Sequence, residues 1–431
     1  MTLAALAAVI AFLPLLKPAG PGNTAPVDVF VALFLFTSVL GLLQRRRPLQ
    51  LPAGTVLLVI LVGSVLALIA SVDVPTGLLT LLVDVYLFCL FIAVANELDT
   101  ERALRLMLNV WVVTALVWAT ILIGGSLRLL PEGLQEFVGA TQYATERSAG
   151  AAGNPNLAAS YVLIACFVAL SASWPRRRFA RVVVFAWLAT GMYVTGSNGA
   201  LAAFLAGVVM LGLGVYLRSA HSREQIMGLI GAATLTGVIL LGVVVSLVGI
   251  PTIGVADVDA LAQRQQQGVL SRNIGRLNNG LDDRLSIWGS GWRGAAPRLT
   301  IGVGPGEAID YAVDITGLPI SLHNDPLAYL LERGVLGLLG FLALHKVLLG
   351  WGGRLLVAEG RTQDVMRGLG PAVVANLVFS LSHETLHFRH VWILFAMVWA
   401  AYTVVSERQR AAEAEPQVAV PEHAEAQVQG R

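Results

Sequence analysis

Apolar runs long enough to enter a bilayer follow one another along almost the whole chain, and they settle its fold class before any motif is read. They cover about 3–16, 27–43, 53–71, 74–95, 104–123, 156–173, 181–196, 198–217, 226–249, 327–350, 366–382 and 388–405. Each approaches or reaches the roughly 17–25 residues that a helix needs to cross the hydrocarbon core, the first being marginal. Backbone N–H and C=O groups find no water there, so each run must close its hydrogen bonds internally, as a helix does. Only 13% of the residues are charged and the mean hydropathy is +0.72, whereas a soluble domain carries about 25% charged residues. The expected fold is an all-α polytopic membrane protein with about 12 transmembrane helices. Residues 1–249 hold nine of them, 250–325 form a long, partly helical loop, 326–406 hold the last three, and 407–431 form a disordered tail.

Composition also removes several function classes. Cys89 and Cys166, the two cysteines, lie in apolar runs, which fits neither a disulfide framework nor a thiolate metal site. The chain shows no soluble catalytic domain, no nucleotide-binding domain, no internal repeat and nothing that points to a nucleic acid. The first run lacks a basic start and a clear small-x-small cleavage site, so a retained helix is expected rather than a signal peptide.

Basic residues orient the bundle. With an even number of spans, Arg45–Arg47, Arg102, Arg105, Arg176–Arg178, Arg181, Arg218, Arg223, Lys346, Arg354, Arg361 and Arg367 fall on one side, in short loops or near the ends of spans. That side is the cytoplasmic one, with both termini on it. The other side carries the stretch 250–325, which is too long to be a connector. It holds Arg264, Arg272, Arg276, Arg284, Arg293 and Arg298. The apolar pattern of Leu281–Trp292 predicts a short amphipathic helix at the interface. Asp282 and Asp283 would sit in its first turn, where the helix dipole favours carboxylates.

An arginine on the outward side can simply touch lipid headgroups. The concentration of guanidinium there suggests more: a site for a phosphorylated or anionic substrate, because guanidinium holds phosphate oxygens bidentately and keeps its charge. Arg147, Arg272, Arg276 and Arg284 are the candidates. The long loop ends at Ser321-Leu322-His323-Asn324-Asp325-Pro326. His323 is the candidate reactive centre, since a neutral imidazole can take a proton from a hydroxyl near neutral pH. Asn156, Asn324 and Asp325 are candidate supports. Asp325 can instead be a helix cap before Pro326. Asn154 and Pro155 open the sixth run as cap and first helical residue, with Asn156 beside them. Gly302-Val303-Gly304-Pro305-Gly306 lacks the setting of a dinucleotide loop and reads as a tight turn where backbone comes close to substrate or another helix. Gly334, Gly337 and Gly340 give the following helix a small-residue face for close packing.

One motif points elsewhere. His383-Glu384-Thr385-Leu386-His387 has the form H-E-x-x-H, which on a helix would hold zinc and make an intramembrane protease. It falls in the short link between the last two runs, so no metal site is expected. A carrier of such an anionic substrate is another reading, because arginine-lined cavities also suit transport.

Taken in order, these segments resemble the bacterial O-antigen ligase and polymerase superfamily, which also contains protein-linked oligosaccharyltransferases. The carriers are Arg147 with Gly153–Asn156, then Thr195-Gly196-Ser197-Asn198-Gly199, Arg284–Trp288, Gly302–Gly306, His323-Asn324, Glu332-Arg333-Gly334 and Gly337. The resemblance implies a metal-independent, inverting glycosyl transfer on the periplasmic face of the inner membrane, without a cofactor. The donor would be an undecaprenyl-diphosphate-linked glycan. The acceptor would be lipid A-core for a ligase, or another lipid-linked repeat for a polymerase. Compactness favours the ligase. His323 would be the base and the arginines would hold the diphosphate. Arg147 and Arg284 match the family pattern, while Arg272 and Arg276 are placed by position. Many members carry Arg where this chain has Asn198, so that phosphate contact is either absent or supplied by another arginine.

Overall fold

A computed structural model describes residues 1–16, 24–45, 48–127, 129–131, 133, 147–219, 284–313, 317–357 and 366–414. The chain forms α1 (Thr2–Phe12), α2 (Pro26–Arg45), α3 (Gly54–Ile69), α4 (Val74–Glu97), α5 (Glu101–Ser126), α6 (Pro155–Ser171), α7 (Arg178–Val194) and α8 (Asn198–Ser219). After these come α9 (residues 284–295), α10 (Asp325–Val357), α11 (Leu369–Ser380) and α12 (Arg389–Ala414). Eleven of the twelve apolar runs are helices, and the run at 226–249 lies outside the described residues. Among the described residues, α2, α4, α5, α8, α10 and α12 contain six spans long and apolar enough to cross a membrane, while α1, α3, α6 and α11 are shorter apolar helices. The protein is an all-α, multi-pass membrane protein.

Local chemistry starts several helices where the sequence suggests. Asp73 accepts the Thr76 N–H ahead of α4, Thr100 accepts the Ala103 N–H ahead of α5, and Asn154 accepts the Asn156 N–H ahead of α6. Pro155 follows its cap at the first helical position, where a missing N–H costs nothing. Helices α6 and α12 are buried on most sides and form the centre, while α2 and α8 lie at the rim. The main packing partners are α8 with α11, α3 with α10, and α6 with α7, followed by α4 with α12 and α1 with α2.

The small-residue face of α10 meets α3. A Cβ on Gly340 has no room because it would strike Ile60 of α3, and a Cβ on Gly63 of α3 would stand 3.1 Å from the Gly337 nitrogen. This close approach brings the buried Arg333 guanidinium to Ser64 Oγ at 3.0 Å, Asp84 Oδ2 at 2.9 Å and Glu332 Oε2 at 2.6 Å, above the Tyr329 ring. Breaking such a buried network by removing one member costs about 3–5 kcal/mol, because the others stay buried without compensation.

Residues 284–313 and 317–324 fold over one end of the bundle, the loop end, around a small core of Ile287, Ala295, Val303, Ala308, Leu322 and Leu331. Helix α9 covers the described part of the expected amphipathic helix, whereas Asp282 and Asp283 lie outside the described residues. Trp288 turns inward, its indole N–H donating to the Leu322 carbonyl at 2.8 Å, while Trp292 stays exposed. The glycine turn approaches a helix, as expected. Helix α10 breaks at Gly334 (φ 65°, ψ −162°), which frees carbonyls in the turn before it. The Val303 N–H donates to Leu331 O at 2.9 Å and the Gly304 N–H to Glu332 O at 3.1 Å. The buried Glu307 carboxylate accepts the N–H groups of Val72 and Asp73 at 3.1 and 3.0 Å, which ties the loop to the start of α4.

Candidate active site at the loop end

His323 stands where the loop enters α10. Its backbone is left-handed (φ 51°), a conformation uncommon for a residue with a Cβ. Asn324, not Asp325, caps α10: Asn324 Oδ1 accepts the Leu327 N–H at 2.9 Å, and its amide donates to Leu381 O at 3.0 Å. Asp325 is instead buried and accepts both the N–H and the hydroxyl of Thr385, at 2.8 and 2.7 Å. Both side chains therefore fasten α10 to the link between α11 and α12.

That link, residues 381–388, contains the H-E-x-x-H motif, and it is not helical. The two motif histidines share no helix face. Among the described residues no group of three His, Cys, Asp or Glu is placed to hold a metal ion. Glu384 Oε1 accepts the Ser321 hydroxyl at 2.5 Å and the His323 N–H at 3.1 Å. Glu384 thus holds the backbone of His323 in its left-handed turn. His383 is buried beside the His323 ring, with centroids 5.9 Å apart, and stacks on Phe379.

Arg284, the first described residue of α9, reaches the same place. Its Nη1 donates to Ser382 O at 2.6 Å, and Nη2 lies 3.5 Å from His383 Nε2. Arginine only donates, so Nε2 faces it as the acceptor, and Nδ1 carries the proton towards Ser382 Oγ at 3.0 Å. Burial pushes the His383 imidazole well below the usual histidine range, and Arg284, His323 and Arg147 push it further down. The ring is neutral at physiological pH. Arg147 comes from the segment that leads into α6. Its Nε donates to Thr195 O at 2.9 Å and its Nη2 to Asn156 Oδ1 at 2.6 Å. Thr195 belongs to the segment with Asn198. Ser197 Oγ accepts the Ala200 N–H at the start of α8, and a Cβ on Gly199 would stand 3.0 Å from His383 Cε1.

The structure therefore brings Arg147, Arg284 and His323 around His383, with Asn156 holding Arg147 and with Asn324 and Asp325 in the scaffold. Arg272 and Arg276 lie outside the described residues. Ser321, His383 and Glu384 are the members that motif reading missed. For His383 and Glu384 the signal was their place in a link on the same side of the membrane as His323, which the metal pattern obscured.

Glu384→Gln is expected to keep the fold and lower kcat about tenfold with KM little changed. A neutral amide accepts the two hydrogen bonds more weakly than a carboxylate, by about 1–2 kcal/mol. An unaltered kcat in initial-rate measurements would show that Glu384 does not position His323.

No curated protein matches the chain. Residues 182–342, from α7 through Arg284 and His323 into α10, match the family model described as O-antigen ligase, with Arg147 and the 381–388 link outside the match. That match supports a place for the chain in the O-antigen ligase and polymerase superfamily.

Proposed function

We propose that the protein transfers a glycan from undecaprenyl diphosphate to a sugar of lipid A-core, with inversion and without a metal, at the periplasmic face of the inner membrane. Both termini lie in the cytoplasm in this reading. The observation that carries it is the convergence of Arg147, Arg284 and His323 around a neutral His383 at the loop end. His323 takes the proton of the acceptor hydroxyl. The hydroxyl oxygen bonds to the anomeric carbon, the bond from that carbon to the diphosphate oxygen breaks, and the electron pair leaves on the diphosphate. Arg147 and Arg284, joined by Arg272 and Arg276, take up the developing charge, the kind of term that usually dominates such chemistry. Arg147 lies against Thr195-Gly196-Ser197-Asn198-Gly199, so it supplies the guanidinium that the segment lacks at Asn198.

The test is transfer by the purified protein in detergent, with undecaprenyl-diphosphate-linked glycan and lipid A-core, with and without EDTA. Ligated product on a gel, undiminished by EDTA, is the expected result. Lengthening of the lipid-linked glycan with no ligated product would make the protein a polymerase. Loss of product with EDTA and recovery with zinc would overturn the metal-free reading. A folded sample giving neither product would overturn transfer itself.

A further inference from the structure

The link between α11 and α12 grips the loop end one residue at a time. Leu381 O accepts the Asn324 amide at 3.0 Å, and Ser382 O accepts Arg284 Nη1 at 2.6 Å. Glu384 Oε1 accepts the Ser321 hydroxyl and the His323 N–H, and Thr385 donates to Asp325 through its N–H and its hydroxyl. His383 stands in the middle of this series, and its ring has little freedom. Phe379 stacks flat against it, with centroids 4.3 Å apart and planes 10° from parallel. Gly199 closes one edge, since a Cβ there would stand 3.1 Å from Nδ1 and would strike Ser382 Oγ.

The hydrogen bonds through this ring run in one direction. Ser382 Oγ lies 3.1 Å from Phe379 O and 3.0 Å from His383 Nδ1. A carbonyl only accepts, so the hydroxyl proton goes to Phe379 O, and Oγ is left to accept from Nδ1–H. Nε2 then carries a lone pair, and Arg284 Nη2, which only donates, stands 3.5 Å from it. That bond is long, as bonds in a site without substrate often are. Burial, Arg284, His323 and Arg147 keep the ring neutral, so the lone pair stays open to the guanidinium. The donors thus pass from Arg284 through His383 and Ser382 into the carboxyl end of α11. Arg284 is held through both of its amino groups, Nη1 by Ser382 O and Nη2 by His383. Two holds fix the plane of a guanidinium, whereas one lets it swing about the bond. A fixed plane is what bidentate binding of phosphate oxygens requires.

We propose that His383 is a positioning residue for the donor's diphosphate, acting through Arg284: its neutral ring sets the plane in which the guanidinium meets the leaving group. Adjacent residues of the link then serve different substrates, His383 the donor through Arg284 and Glu384 the acceptor through His323. This role rests on the transfer reading above.

The test is binding of undecaprenyl diphosphate to the purified full-length protein in detergent, measured by calorimetry and read without turnover. His383→Ala and His383→Leu both remove the acceptor, and whichever keeps the wild-type melting behaviour is read. Either is expected to weaken binding about tenfold, or about 1.4 kcal/mol. His383→Gln, whose side chain carries an acceptor of similar reach, is expected to weaken it less than about threefold. In an Arg284→Ala background the loss of His383 should cost nothing more, because residues that act as a unit are not additive. Initial rates should show the donor KM raised by a similar factor and the acceptor KM unchanged. Equal losses with and without Arg284 would overturn the proposal and make His383 structural. A kcat lost while binding stays intact would overturn it in favour of His383 handling a proton. Binding that survives loss of the acceptor would overturn the positioning role alone. Wild-type protein that does not bind undecaprenyl diphosphate would overturn the transfer reading, and this role with it.

Discussion

His323→Ala is expected to abolish the proposed transfer and to leave the protein folded. A positioned base contributes typically 10²–10⁴-fold to rate, so the variant is expected to fall at least about a hundredfold in kcat. The fold is insulated from the change because Glu384 and Ser321 hold the backbone of His323 rather than its ring. The left-handed φ of 51° supplies an internal control. Alanine keeps the strain of that conformation, whereas glycine relieves it by about 1–2 kcal/mol. His323→Gly should therefore melt higher than His323→Ala and be just as inactive. Rates with both lipid substrates and thermal unfolding of the two variants check this together. More than a tenth of the wild-type rate in either variant would move the base elsewhere, and neutral His383 would be the next group to test.

Gly302→Ala is expected to have the largest effect on stability. A Cβ at this position would strike the Glu332 carbonyl and stand 2.7 Å from the Gly334 nitrogen, at a φ of 97°. Nothing flexible can give way, because the atoms met are backbone. The loop must lift from α10, and the carbonyls of Leu331 and Glu332 then lose their loop donors inside a buried site. Positive-φ strain and two lost buried hydrogen bonds come to about 3–5 kcal/mol. Gly317→Ala is the matched control, since φ there is 82° but no atom lies within 4 Å of the added Cβ. It should cost only the conformational strain, about 1–2 kcal/mol. Equal melting temperatures for the two variants would show that the loop–helix bridge contributes nothing.

The sequence made the fold plain wherever a local rule decided it. Hydropathy alone marks the runs that became α1–α8 and α10–α12, because a bilayer imposes the same requirement at every crossing. Asn154 and Pro155 act where capping chemistry puts them, and Gly337 and Gly340 pack as small residues do. Legibility fails where a distant partner decides. Asn and Asp both suit a helix cap, and Thr385, sixty positions away, draws Asp325 off that task and leaves it to Asn324. The same holds for His383 and Glu384. Their spacing spells a zinc helix, but the link between α11 and α12 is too short and too tightly bonded to coil, and so the two side chains meet Arg284 and His323 instead. Arg147 and Arg284 were legible as a charge pattern. That one reaches Thr195 and Asn156 and the other His383 follows only from the packing of α6, α8 and α11 at the loop end.

The network around Arg333 has a consequence for biogenesis. Asp84 enters the membrane with α4, and its guanidinium partner follows 249 residues later in α10. At about 5–20 residues per second of synthesis, that interval is roughly 10–50 seconds. Throughout it the nascent bundle holds an acidic side chain in α4 with its counter-charge still unmade. Completion of α10 is therefore the event that gives Asp84 its partner. Insertion of the last third of the chain closes a defect carried by the first third, and a ribosome that stalls before Arg333 leaves behind a product that membrane quality control can recognise by its charge.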